Sequence, residues 1–305
     1  MAMNETTAAL KRRWKSPAGE RLRDEVRARL LSGDTLEGLE LHNFNGRADL
    51  RGTVFPGETT NLQGVQLRNI DFSAAALSNF RFVDCVIEDC AFDQANCRDW
   101  RLWGTKVVAC SFDGADLRNS SLGAWRDGRG NTFTHVSFTS AKLSDVGTTA
   151  AVYEDCNFSF ADLRNVNFWQ SSLIRCKFAG VVCEVIFDGR MLGEGKPDAN
   201  PMLEVDFTEA EFAGCDFRGV DFSSVRLPRD HDIVLIDNAE LLERAAAGLP
   251  QARTDESAVL ARMIFDHAKK LLGFGSVALL NLRDFPAAAD LFRELLMEAG
   301  WISTD

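Results

Sequence analysis

From Leu62 onward every fifth residue is apolar: Leu62, Leu67, Phe72, Leu77, Phe82, Ile87, Phe92, Cys97, Leu102, Val107, Phe112, Leu117 and Leu122. With 46% of the chain hydrophobic, an unbroken run of thirteen at one phase arises by chance about 4 times in 100,000, so the period is a folding signal. The phase slips by one and resumes at Phe133, Phe138, Leu143, Thr148, Tyr153, Phe158, Leu163, Phe168, Leu173, Phe178 and Cys183, then slips again before Phe207, Phe212, Phe217, Phe222 and Leu227. Of these 29 positions only Thr148 is polar, and the residue two places earlier is Ala, Cys, Val, Ser or Thr in 25 of them.

A period of five fits neither the 3.6 of a helix nor the 2 of a strand, so the chain must turn the same way once per unit. Four such corners close a square coil of about twenty residues, and coils stack at about 4.8 Å with the large and the small residue both pointing inward. Phe80 and Trp100 put rings where the pattern wants a small residue, which predicts a local bulge of the wall.

Ala115-Asp116-Leu117-Arg118-Asn119, Ala161-Asp162-Leu163-Arg164-Asn165 and Cys215-Asp216-Phe217-Arg218-Gly219 carry an A(D/N)LXX pattern that resembles the pentapeptide repeat family over residues 36–230. The resemblance implies an all-β solenoid, a right-handed quadrilateral β-helix. It further implies that the best understood relatives are bacterial proteins that mimic DNA and bind type II topoisomerases, conferring quinolone resistance. A protein partner is therefore expected, with DNA gyrase or topoisomerase IV as candidates, and no cofactor. The alternative is a structural scaffold without topoisomerase activity.

Charge supports a protein partner over nucleic acid. The chain carries 34 basic and 45 acidic residues, net −11, and residues 36–230 carry 19 against 28, net −9, which disfavours direct binding to a phosphate backbone. No apolar run approaches the length of a membrane span, and no apolar stretch follows the early basic residues, so a cytoplasmic location is expected.

Outside the repeat the pattern turns helical. Ser16-Pro17 is a helix start, and Leu22, Val26 and Leu30 form one apolar stripe before Gly33, predicting a helix from Pro17 to Leu31 that caps the first coil within an N-terminal unit of residues 1–35. Residues 231–305 read as a C-terminal helical domain that caps the rod or dimerises. Its helices are expected from Asn238 to Ala247, after Thr254 as far as Gly273, and from near Pro286. Two interruptions predict outward loops near residues 123–132 and 188–203, each rich in glycine.

Chemistry is sparse. All eight cysteines fall on inward positions, which predicts reduced thiols acting as small apolar side chains. Gly189 to Lys196 differs from a phosphate loop by an extra residue between its glycines and by Pro197 after the lysine. The four histidines are scattered, so neither a metal site nor a catalytic residue is assigned. The expected partner contacts are the outward carboxylates Asp113, Asp116, Asp162, Asp216 and Asp221, with Trp125, Arg126 and Arg129 at the tip of the first loop.

Overall fold

The computed structural model describes residues 6–55, 57–190, 202–250 and 253–302. In the repeat the central residue of nearly every unit is buried, Cys183, Phe222 and Leu227 being only partly so, and the residue two places later turns the corner. That corner residue sits at positive φ: Asn69 (53°), Asn79 (65°), Asp84 (55°), Asp89 (50°), Asp99 (60°) and Gly104 (57°). Asn, Asp and Gly tolerate this left-handed conformation best. The turn closes when the small residue's N–H reaches the preceding large residue's carbonyl, as from Ala75 to Phe72, Ala95 to Phe92 and Ala115 to Phe112, each 3.0 Å.

Repetition of this corner stacks parallel strands one coil apart. Leu67 lies beside Ile87, Ile87 beside Val107, and Phe82 beside Leu102, each a step of 20 residues. Between Val107 and Phe133 the step is 26, so six residues leave the coil there, and it returns to 20 from Phe133 to Tyr153 and on to Leu173. The result is a β-helix of parallel strands with four five-residue faces per coil.

The interior is an aromatic column. Phe72, Phe92, Phe112, Phe138, Phe158, Phe178 and Phe207 stack in unbroken order, with successive ring centroids 4.7 to 5.4 Å apart and planes within 21°. A shorter stack, Phe168, Phe187 and Phe217, meets it edge-on. Thr148, the polar member of the inward series, is satisfied by donating to the Asn167 carbonyl at 2.7 Å. Tyr153 is wholly buried, and among the described residues its hydroxyl has no hydrogen-bond partner.

Three expectations need correction. Phe80 and Trp100 fit inside the coil, and the ladders across them keep register. Trp100 stands edge-on to Phe92, and its indole N–H donates to the Leu77 carbonyl at 2.6 Å. The register shift in the coil walls lies instead between Lys177 and Ala179. It places Val182 inward opposite Phe212 and leaves Cys183 half-buried, so the second phase ends at Phe178 and Val182 and Phe187 continue in the phase of Phe207. Cys183 and Cys215 are both only partly buried. The extra chain length follows Phe187, and residues 191–201 of the expected second loop lie outside the described residues.

Before the coil, α1 (Thr7–Arg13) precedes α2 (Pro17–Ser32), which has Ser16 as N-cap and the left-handed Gly33 at its C-terminus. The sequence pattern missed α1, a seven-residue helix too short to show a period. Trp14, Val26 and Leu30 belong to the same apolar cluster as the coil interior. After the coil come α3 (Ala239–Ala247), α4 (Glu256–Leu272) and α5 (Ala289–Glu298) around a second cluster. An unforeseen antiparallel pair, Ile233–Ile236 with Ala278–Asn281, makes this region mixed rather than purely helical. It meets the last coil closely. Cβ at Gly275 would lie 2.8 Å from the Gly219 Cα, Asn281 Nδ2 donates to the Phe212 carbonyl at 2.8 Å, and the Arg190 guanidinium covers the Phe274 ring at 4.4 Å.

At the other end Asp49, 4% exposed, accepts from Arg13 at 2.6 and 2.5 Å and from Arg51 at 2.9 Å. Burial pushes this carboxyl up, but the hydrogen bonds from Arg13 and Arg51 outweigh it and hold the group well below the usual carboxylate range. Such a group stabilises the fold above its unfolded pKa, about 4, and loses that contribution as pH falls toward its folded value. Arg13→Ala is therefore expected to cost about 2 kcal/mol at neutral pH, with the deficit against wild type shrinking below about pH 4 in denaturant titrations.

Phe158→Ala is expected to cost about 3–4 kcal/mol because it opens the middle of the ring column. Tyr153→Phe should be neutral or stabilising by about 1 kcal/mol, since it removes an unpaired buried hydroxyl. Comparable losses for the two in chemical denaturation would show that the Tyr153 hydroxyl is engaged.

Candidate functional site

On each face the residues on either side of the inward one both point outward, so an Asp and an Arg two apart lie side by side. Asp116 accepts from Arg118 at 2.9 and 2.6 Å, and Asp162 from Arg164 at 2.8 Å through each oxygen. Asp216 accepts from Arg218 at 2.7 Å, and Asp188, which is itself buried, accepts from Arg190 across Gly189 at 2.8 and 2.6 Å. The Arg118 hydrogen bond is the main reason the Asp116 carboxyl is held low, and Arg164 does the same for Asp162. Three of the five expected carboxylates are thus half of an ion pair. The signal was present in the Asp-Leu-Arg motifs, where alternation puts both charges on one side.

Asp113 and Asp221 differ. Asp113 accepts from the Ser137 hydroxyl, and its own backbone N–H donates to Asp93 at 3.1 Å. Burial pushes the Asp93 carboxyl up, and repulsion from Asp113 and the buried Asp71 adds to that, so three acids lie close together here. Asp221 is exposed and held low by the Ser223 backbone and hydroxyl. These eight expected contact residues do not form one site: the carboxylates are spread from Asp113 to Asp221, whereas the tip residues form a compact group.

That group is a short hairpin rather than a slack loop. Arg126 and Arg129 exchange backbone hydrogen bonds at 2.9 and 3.0 Å across Asp127 (φ 50°) and Gly128 (φ 78°), a two-residue turn with both residues left-handed. Its feet are tight against the next coil: Cβ at Gly130 would lie 1.9 Å from the Ala150 carbonyl oxygen, and at Gly123 2.2 Å from the Thr148 carbonyl carbon. Asn131, fully buried, ties the base by donating to the carbonyls of Leu102 (2.9 Å) and Leu122 (2.8 Å) and accepting from the Thr105 N–H (2.9 Å). Arg129 folds back to Asp84 at 2.6 Å, over Gly104, where Cβ would lie 2.5 Å from the Asp84 Oδ1. Trp125 is 43% exposed, and among the described residues Arg126 pairs with its neighbour Asp127 at 3.2 Å. Sequence reasoning found the tip but missed Asp84, Gly104 and Asn131, because the pairings that hold it are set by coil register.

Other reactive groups are quiet. Burial pushes the Cys90, Cys97 and Cys156 thiols well up, and all eight cysteines are free. Asp230, His231 and Asp232 bring ligand atoms within 4.8 Å of one another. Their carboxylates already face Arg283 at 2.9 and 3.0 Å and Arg293 at 2.7 Å, which disfavours a cation.

The pentapeptide repeats family model matches residues 154–183 and 202–227, in eight copies. Among solved structures the chain is similar to full-length QnrB1, a plasmid-mediated fluoroquinolone resistance protein, at 21% identity over 59% of this chain and 92% of that one (TM-score 0.31). It is also similar to HetL, a pentapeptide repeat protein involved in heterocyst differentiation regulation from the cyanobacterium Nostoc sp. strain PCC 7120, at 19% identity over 55% and 90% (TM-score 0.19). Among curated proteins no match is found. Among the described residues no helix is long and apolar enough to cross a membrane.

If the Arg129 pair holds the hairpin, Arg129→Ala and Asp84→Ala should each speed tryptic cleavage after Arg126 severalfold while lowering stability by less than about 1 kcal/mol. Equal cleavage rates would mean that the glycine feet and Asn131 hold it unaided.

Proposed function

We propose that this chain of pentapeptide repeats is a non-enzymatic protein-binding rod, closed at its ends by α1 and α2 and by the region after residue 230, and that the Trp125 hairpin is its principal contact. The carrying observation is an exposed tryptophan beside Arg126 on a turn fixed at base and tip. Aromatic and Arg anchors dominate interface energetics, and a rigid loop loses little entropy on binding.

The proposed partner is a type II topoisomerase, DNA gyrase or topoisomerase IV, in the bacterial cytoplasm. The charge pattern bears on how such a partner is engaged. A DNA mimic needs free carboxylates in phosphate-like array. Asp113 and Asp221 fit that need better than Asp116, Asp162 and Asp216, whose neighbouring arginines cancel their charge. We therefore assign the binding to the hairpin first and to mimicry second. A scaffold role without topoisomerase activity is the alternative, favoured by the same mixed-charge faces; self-association through the region after residue 230 fits either.

Deleting residues 124–129 leaves Leu122 and Phe133 five positions apart, with Gly130 at a corner and Asn131 at a small position, so the coil should close in phase. In quinolone-stabilised cleavage and supercoiling assays, wild type at micromolar concentration should relieve the drug effect and the deletion should not, with equal melting temperatures. No effect of wild-type protein on either assay would overturn the topoisomerase reading and leave the scaffold.

A further inference from the structure

The long ladder on one face starts at strand Gln66–Arg68, which among the described residues has one paired neighbour, Val86–Glu88. In a parallel pair alternate residues bond to the same neighbour. Here the Val86 N–H reaches the Val65 carbonyl at 3.0 Å and the Asn69 N–H the Glu88 carbonyl at 3.2 Å. That alternation turns the amide and carbonyl of Leu67 toward Val86–Glu88 and those of Gln66 and Arg68 away from it, toward the N-terminal end of the coil.

Neighbouring starts are covered by the chain itself. Strand Arg47–Asp49 is paired by Asn43–Phe44, and Thr60–Gln63 lies against α2. Over Gln66–Arg68 there is instead a groove of about 540 Å³, bounded on its far side by residues 34–43. Leu36, Leu39 and Leu41 give that wall a half-buried apolar lining, and Asp34 and Glu37 are exposed at its rim. Part of the wall's backbone bonds within it, Leu39 to Leu36 at 3.3 Å and Leu41 to Leu39 at 2.7 Å, while the Thr35 and Glu37 carbonyls accept from Arg29, whose charge is paired with Glu25 at 3.3 Å, and the His42 carbonyl accepts from the Asp49 N–H. Arg68 reaches Glu88 at 3.3 Å, so the near side adds little net charge.

We propose that this groove takes an extended peptide of a partner protein, which adds as a strand to Gln66–Arg68 and sets a basic side chain against Asp34 and Glu37. An edge with outward amides and carbonyls specifies a strand, because the main chain supplies the hydrogen bonds and the adjoining wall selects the side chains. The acidic rim selects the charge. This surface is separate from the Trp125 hairpin and stands whether or not the hairpin binds a topoisomerase.

The test selects linear peptides from a phage-displayed library on the full chain and measures one synthetic winner by fluorescence anisotropy. Proline at an outward-facing edge position removes an amide without removing a ladder bond. Gln66→Pro and Arg68→Pro should each weaken binding about tenfold, and Glu37→Lys severalfold, with hydrogen exchange at the Gln66 and Arg68 amides slowed by the peptide. If either proline variant melts lower, Glu37→Lys and the exchange measurement decide. Failure to enrich any peptide, binding indifferent to the substitutions, or protection of those amides by a concentration-dependent dimer without peptide would overturn the proposal.

Discussion

One residue in five is held in the left-handed backbone region, and the fold depends on that corner. Each such residue is conformationally unfavourable unless it is Gly, Asn or Asp. The fold nevertheless places Ala74, Ala109, Ala150 and Phe160 there. What overcomes the penalty is the stack: a corner out of place would pull a phenylalanine out of a column whose rings sit about 5 Å apart on both sides. Local strain and long-range packing are therefore coupled in every unit, and neighbouring coils enforce each other's corners.

That coupling explains what the sequence could reveal. Thirteen inward residues from Leu62 to Leu122 were legible because a period of five has one structural solution here and each is buried. The same arithmetic failed at Cys183. The irregularity between Lys177 and Ala179 drops one residue from the count, and Val182 takes the inward place. A phase rule carries no information about where a strand skips. The strands Ile233–Ile236 and Ala278–Asn281 were missed for a different reason: each is four residues long, and they pair across 41 intervening positions, too short and too distant for any periodic signal.

The contact surface was legible in composition and illegible in detail. Counting charges marks the rod as acidic, yet the Asp-Leu-Arg motif puts each of its acids beside its own base, so much of the net charge resides elsewhere, as around Asp71, Asp93 and Asp113. The hairpin tip followed from three glycines, while its pinning to Asp84 needed knowledge of which residues stand 45 positions apart and face one another. Side-chain partners across coils depend on the insertion count, and an error of one would misplace them all.

The glycine feet and the buried Asn131 have an evolutionary consequence. An excursion that leaves and re-enters at a corner changes neither the rise per coil nor the order of the rings, so such a segment can be gained, lost or rewritten as a cassette. Selection can then alter what the rod presents to its surroundings while the interior stays under a constraint of its own. Relatives would be expected to vary most at the corners and least along the phenylalanine column, and to differ in length by whole decorations rather than by gradual drift.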